Sequence, residues 1–201
     1  MFTIPNLVTI SRIALVPVFV AAFAIPSDSA RLVAFAVFCI AGASDALDGF
    51  AARKLNAGSE FGRMLDPIAD KILVAVALMM LVAEGSIEQF DLQPGLRNVL
   101  KLVPALIILS REILVSGLRE FLAGASVSVP VTSIAKLKTT IQMIAIGAML
   151  LEPLGFKYLS FPLAVTYSAA AYIGLWVAAL LTVWTGYVYF RSGIKHLHGW
   201  K

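Results

Sequence analysis

The feature that most limits how this chain can fold is the recurrence of long apolar runs. Six of them, at about 7–25, 31–53, 62–83, 96–119, 134–151 and 161–190, each approach or exceed the ~20 residues that carry a helix across a bilayer. Pro26-Ser27-Asp28, Glu84-Gly85-Ser86 and Glu152-Pro153-Leu154-Gly155 punctuate them. Hydrocarbon offers no partner for backbone N–H and C=O groups, so runs like these fold as helices that satisfy themselves. The chain is 60% hydrophobic and 14% charged, against about 45–50% and 25% in a soluble domain. The expected fold is therefore an all-α integral membrane protein of six transmembrane helices, forming a single domain over residues 1–201. Cys39 stands alone, which excludes an internal disulfide, and its apolar setting reads as packing.

Charge placement orients the bundle. Twelve of the 16 Lys and Arg residues fall on the side of the two termini; only Arg31, Arg97, Lys101 and Lys157 fall on the other. Both termini are expected on the cytoplasmic side. The net charge of +4 sits near the ends of apolar segments, which suits anionic lipid and argues against nucleic acid. The opening MFTIPNLVTISRI places Pro5 where a first helical turn accepts it, and reads as a short interfacial helix leading into the first span. Ala22-Phe23-Ala24 mimics a signal-peptidase site, but no positive segment precedes the apolar run, so the run reads as a span.

Against this background SDALDGFAARKLNAGSEFGRMLDPIADK, residues 44–71, concentrates four aspartates. Asp45 and Asp48 are three apart near the end of the second span; Asp66 and Asp70 are four apart near the start of the third. At 3.6 residues per turn each pair shares a helix face. Asn56, Gly58 and Ser59 can turn the chain, so antiparallel helices would bring both pairs to one depth. Four carboxylates at that distance repel one another and resist desolvation. Oxygen-only ligands at such a site favour hard cations, Mg²⁺, Mn²⁺ or Ca²⁺, and two dications would balance the charge. Two-metal sites suit phosphoryl chemistry. Gly49, Ala52 and Gly62 keep the acidic faces free of bulk, and Arg53 offers a fork suited to phosphate. Singly, such small residues are as well explained by helix packing.

Together these positions are much more specific. Asp45-x2-Asp48-Gly49-x2-Ala52-Arg53-x8-Gly62-x3-Asp66-x3-Asp70 resembles the signature of the CDP-alcohol phosphatidyltransferase family at each of its eight fixed positions. The resemblance implies transfer of a phosphatidyl group from CDP-diacylglycerol to an alcohol with release of CMP, by a metal-dependent membrane enzyme that is usually a homodimer. It implies Asp45, Asp48 and Asp66 as main metal ligands, and Asp70 as general base that also touches a metal. Gly49, Ala52, Arg53 and Gly62 would hold the CDP portion, with Asn6 and Thr9 at the nucleotide end. The two cations would be Mg²⁺ or Mn²⁺. No Ser/His or Cys/His pair accompanies the motif, which favours direct in-line displacement over a covalent intermediate.

The acceptor is written elsewhere. LSREILVSGLREFLA puts Arg111 and Arg119 eight residues apart, about 80° round a helix. Lys136 and Lys138 open the fifth span about 200° apart, so both need not face one pocket. Fixed cations beside a phosphoryl-transfer site suggest an anionic acceptor. Local pairing of Arg111 with Glu112 or Arg119 with Glu120, and lysines reaching to headgroups, explain the same residues. IPNLVTISRI, REILVSGLREFLA and AKLKTTIQMIAIGAMLL resemble bacterial phosphatidylglycerophosphate synthases, implying glycerol 3-phosphate as acceptor, its phosphate on Arg111, Arg119, Lys136 and Lys138, and a bacterial inner-membrane location with the site facing the cytoplasm. Serine, inositol phosphate or a phosphatidyl lipid are alternative acceptors within the family. Membrane prenyltransferases separate their Asp motifs widely, whereas here the four aspartates fall in one block. An Asp-lined cation transporter or channel would continue its polar path, but ILVAVALMMLV beyond Lys71 is apolar.

Overall fold

The computed structural model describes residues 4–55, 60–84, 94–124 and 133–197. Side chains at 4–7, 45–55, 60–64, 66, 67, 70, 94–98, 133, 192 and 194–197 lie outside that description. The described residues form six α-helices, α1 (Ile4–Ala24), α2 (Asp28–Leu55), α3 (Glu60–Ala83), α4 (Pro94–Gly124), α5 (Ser133–Tyr158) and α6 (Phe161–Leu197). The described elements are all helices, as expected, one for each apolar run. The segments 134–158 and 161–191 are long and apolar enough to cross a membrane.

Element boundaries differ from the expectations in three places. The opening stretch and the first span form one continuous helix from Ile4, with no break to set off a separate interfacial helix. Helix α5 does not stop at Glu152-Pro153 but runs on to Tyr158. Pro153 removes one N–H from the helical ladder, yet the turn is held by packing. Glu152 is 1% exposed and accepts a hydrogen bond from the Ser168 hydroxyl, and Gly155 lies against the Tyr167 ring. Cys39 is exposed on α2 rather than packed.

Two compact units divide the chain, residues 1–84 with 147–168, and 85–146 with 169–201. In the first, α1, α2 and α3 pack on one another. Their contact faces follow heptad-like spacing: Thr9, Arg12, Val16, Phe19 and Ala22 are buried along α1, and Ala34, Phe38 and Ala41 along α2. Small alanines let the helices approach closely. Phe19 stacks at a tilt against Phe38, with ring centroids 6.3 Å apart. At the start of α2, Ser27 accepts a hydrogen bond from the Ala30 N–H, capping the helix. In the second unit, α4 packs against the later part of α6: Gly193 admits Leu118 and Leu122, and Gly186 admits the Arg111 stem.

Candidate active site

The four aspartates occupy positions on α2 and α3, in the first unit. On α2 the buried stripe Ala34, Phe38, Ala41 continues in steps of four and three onto positions 45 and 48. On α3, positions 66 and 70 share a face with Ala69 and Leu73, both buried. The acidic positions thus prolong the interior faces of two packed helices.

Two observed contacts set the relative level of the helices. Phe19 of α1 meets Phe38 of α2. Seven residues back along α1 stands Arg12, and seven forward along α2 stands Asp45; ten in each direction gives Thr9 and Asp48. The Arg31–Glu84 ion pair joins the start of α2 to the end of α3. Fourteen residues inward from each lie Asp45 and Asp70, and Asp48 and Asp66 fall within two residues of matching levels. Antiparallel register therefore brings positions 45, 48, 66 and 70 to one level of the first unit, beside Thr9 and Arg12.

Thr9 and Arg12 are 1% and 2% exposed. Arg12 was read from sequence only as a topology charge. A guanidinium inside an apolar helix is a functional candidate by default, and its burial at the aspartate level is what the sequence could not display. Gly49, Ala52 and Arg53 lie on α2, Gly62 on α3 and Asn6 on α1; their side-chain environment is outside the described residues. So are the side chains of Asp45, Asp48, Asp66 and Asp70. Among the described residues no three His, Cys, Asp or Glu side chains gather as a metal site. The donor set at the acidic level, four carboxylate positions with one buried guanidinium described beside them, fits hard divalent cations.

The second unit holds a separate cationic cluster. Arg111 of α4 donates to the Thr185 hydroxyl of α6 over 3.1 Å and stands 3.5 Å from the Glu112 carboxylate. Its guanidinium carbon lies 5.9 Å from the Tyr189 ring centroid. Lys138 of α5 is 3% exposed and forms an ion pair with the same Glu112 oxygen. Glu112 thus ties Arg111 and Lys138 together. Lys136 and Arg119 are exposed and take no part in these bonds. The 200° separation expected of the two lysines is realised as one buried and one exposed. Thr185, Gly186 and Tyr189, which fix the Arg111 fork, carried no signal in the sequence beyond a polar interruption of the last span.

Comparison with known proteins bears on both clusters. A family profile described as CDP-alcohol phosphatidyltransferase matches residues 2–184. A Rickettsia bellii protein named CDP-diacylglycerol–glycerol-3-phosphate 3-phosphatidyltransferase is 42% identical over 193 residues, 96% of each chain. Proteins of the same name are 41% identical in Bacillus subtilis, over 98% of each chain, and 37% identical in Haemophilus influenzae, over 94% of this chain and 92% of that one.

Proposed function

The chain belongs to the CDP-alcohol phosphatidyltransferase family, and from that premise we propose that it transfers the phosphatidyl group of CDP-diacylglycerol to sn-glycerol 3-phosphate. The products are phosphatidylglycerophosphate and CMP. What supports the chemistry is the register counted from the Phe19–Phe38 and Arg31–Glu84 contacts, which puts the four acidic positions at one level of α2 and α3, in a chain whose curated relatives carry this named activity along nearly their full length.

The 1-hydroxyl oxygen of the acceptor attacks the phosphorus that bears diacylglycerol. A new O–P bond forms, the bond from that phosphorus to the bridging oxygen breaks, and CMP departs with the bridging oxygen. Asp70 takes the hydroxyl proton as general base. Asp45, Asp48, Asp66 and Asp70 would hold two divalent cations, Mg²⁺ or Mn²⁺, which when bound supply charge stabilisation to the phosphoryl group. Arg53 holds the pyrophosphate, and Gly49, Ala52 and Gly62 let it approach the backbone. Asn6 and Thr9 line the nucleotide end. Arg12, level with the aspartates, adds fixed positive charge there.

The acceptor phosphate is held by Arg111 and Lys138, with Arg119 and Lys136 at the exposed rim. A planar guanidinium anchored on one side by Thr185 keeps its remaining N–H groups in a fork suited to phosphate. A serine acceptor would give these cations no phosphate to bind. The enzyme works as a homodimer in the bacterial inner membrane, with six spans, cytoplasmic termini and a cytoplasmic active site.

The deciding experiment incubates purified protein with CDP-diacylglycerol, with and without Mg²⁺ or Mn²⁺, and with glycerol 3-phosphate, serine or inositol phosphate offered separately. CMP release should require a divalent cation and glycerol 3-phosphate, and stop with a chelator. Release with serine alone would overturn the acceptor assignment, and release in chelator would overturn the metal role.

A further inference from the structure

The first unit has a second polar site at the other end of α2 and α3. Asp28 is 17 residues from Asp45 along one helix, about 26 Å at 1.5 Å per residue. A cavity of about 490 Å³ opens here, walled by the α1–α2 connection, the end of α3 and the Pro153 turn of α5. Phe23, Met80 and Leu154 supply apolar wall; Asp28, Arg31 and Glu84 supply charge.

The charged groups are positioned but not used up. Arg31 lies over the Phe23 ring, 4.3 Å from its centroid, and both of its terminal nitrogens bond Glu84. A guanidinium has five N–H donors, so donors remain beyond those two bonds. The Glu84 side chain keeps 30% of its surface exposed. Lys157 and Tyr158 both donate to Asp28 Oδ2, each at 2.5 Å, and Asp28 Oδ1 accepts from no described residue. In the two ion pairs at the site, Asp28 and Glu84 balance Lys157 and Arg31.

Free acceptors for a cation, free donors for an anion and balanced charge select a ligand bearing both charges. A headgroup with negative charge alone would bring no cation to Asp28 and Glu84, while a quaternary ammonium has no N–H to give them. Ile25, itself part of the wall, is exposed and suits an acyl chain. We propose that this cavity binds a zwitterionic phospholipid through its primary ammonium and phosphodiester, the ammonium on Asp28 and Glu84 and the phosphate on Arg31.

The test is native mass spectrometry of the purified full-length protein released from nanodiscs holding equal parts of phosphatidylethanolamine, phosphatidylcholine and phosphatidylglycerol. Phosphatidylethanolamine should be retained over each of the others by about tenfold, the worth of one charged hydrogen bond. Asp28→Asn and Glu84→Gln should each erase that preference while CMP release stays unchanged. Equal retention of the three lipids by the wild-type protein overturns the proposal without any variant. Unaltered preference in both variants also overturns it, as does free phosphoethanolamine competing as well as the lipid. Lipid retention is read without turnover, so failure here is distinct from failure of the transferase reading.

Discussion

Replacing Gly186 with alanine tests the acceptor site at one atom. A Cβ at position 186 would stand 3.0 Å from Arg111 Cγ and 3.6 Å from its Nε. Ordinary carbon contacts lie near 3.5–4.0 Å, so the arginine stem must give by a few tenths of an ångström. The bond from Arg111 Nη2 to Thr185 is already 3.1 Å, near the long end of the usual range, and a shift of the stem weakens it. A hydrogen bond to a charged group contributes about 1.5–3 kcal/mol. At 1.36 kcal/mol per tenfold, the lower end is about a tenfold rise in KM for glycerol 3-phosphate. We expect that lower end, because a long side chain recovers part of its bonding. A phosphate anchor away from the reacting atoms should leave kcat nearly intact. Alanine favours a helix over glycine by about 0.5–1 kcal/mol, which offsets part of the lost bond, so thermal stability should fall only slightly. Steady-state CMP release against acceptor concentration gives KM and kcat separately. Gly117→Ala, where the added carbon meets nothing within 4 Å, serves as control and should change neither. An unchanged KM in Gly186→Ala, or a kcat loss at constant KM, would refute Arg111 as the phosphate anchor.

Asp70→Asn should lower turnover at least a hundredfold, the low end for a general base, while calorimetric binding of CDP-diacylglycerol persists; near-normal turnover would remove Asp70 from its role. Arg12→Gln keeps much of the side-chain bulk but deletes the charge at the aspartate level, and CMP release should fall by about tenfold or more; a wild-type rate would make Arg12 a packing residue. Hydrogen bonds from Lys157 and then Tyr158 hold the Asp28 carboxyl below its usual value, against a smaller opposing effect of desolvation. The stabilisation from Asp28 is therefore present above the ordinary carboxylate range and lost as pH falls through the lowered value. Thermal unfolding of wild-type protein and Asp28→Asn should differ at neutral pH and converge on acidification; a gap that widens in acid contradicts the assignment.

The sequence displays the helices well because hydropathy runs and helices have the same cause, the need to satisfy backbone groups in an apolar setting. It displays their ends less well. Glu152-Pro153-Leu154-Gly155 has the composition of a turn, yet α5 passes through it, because Ser168 receives the carboxylate and Tyr167 covers Gly155. Those partners lie on another helix and leave no local mark. The aspartate block stands out in the sequence because spacing alone puts each pair on one helical face. Arg12 was not, since a charge in a string does not say which face it turns inward. The same holds for Lys101, counted as a topology charge but 3% exposed beneath Tyr172. For Lys136 and Lys138 the helical angle sufficed to separate them, and only the contact with Glu112 had to come from the fold.

The uninterrupted stripe on α2, Ala34, Phe38, Ala41 and then positions 45 and 48, limits how the gene can vary. One codon inserted between Phe38 and Asp45 would rotate both acidic positions by about 100° and leave the upstream packing untouched. A whole heptad would nearly restore the face but displace it by about 10 Å from Arg12 and Asp70. Length in that segment is therefore expected to be invariant among functional descendants, and surviving insertions should collect in the connections between helices.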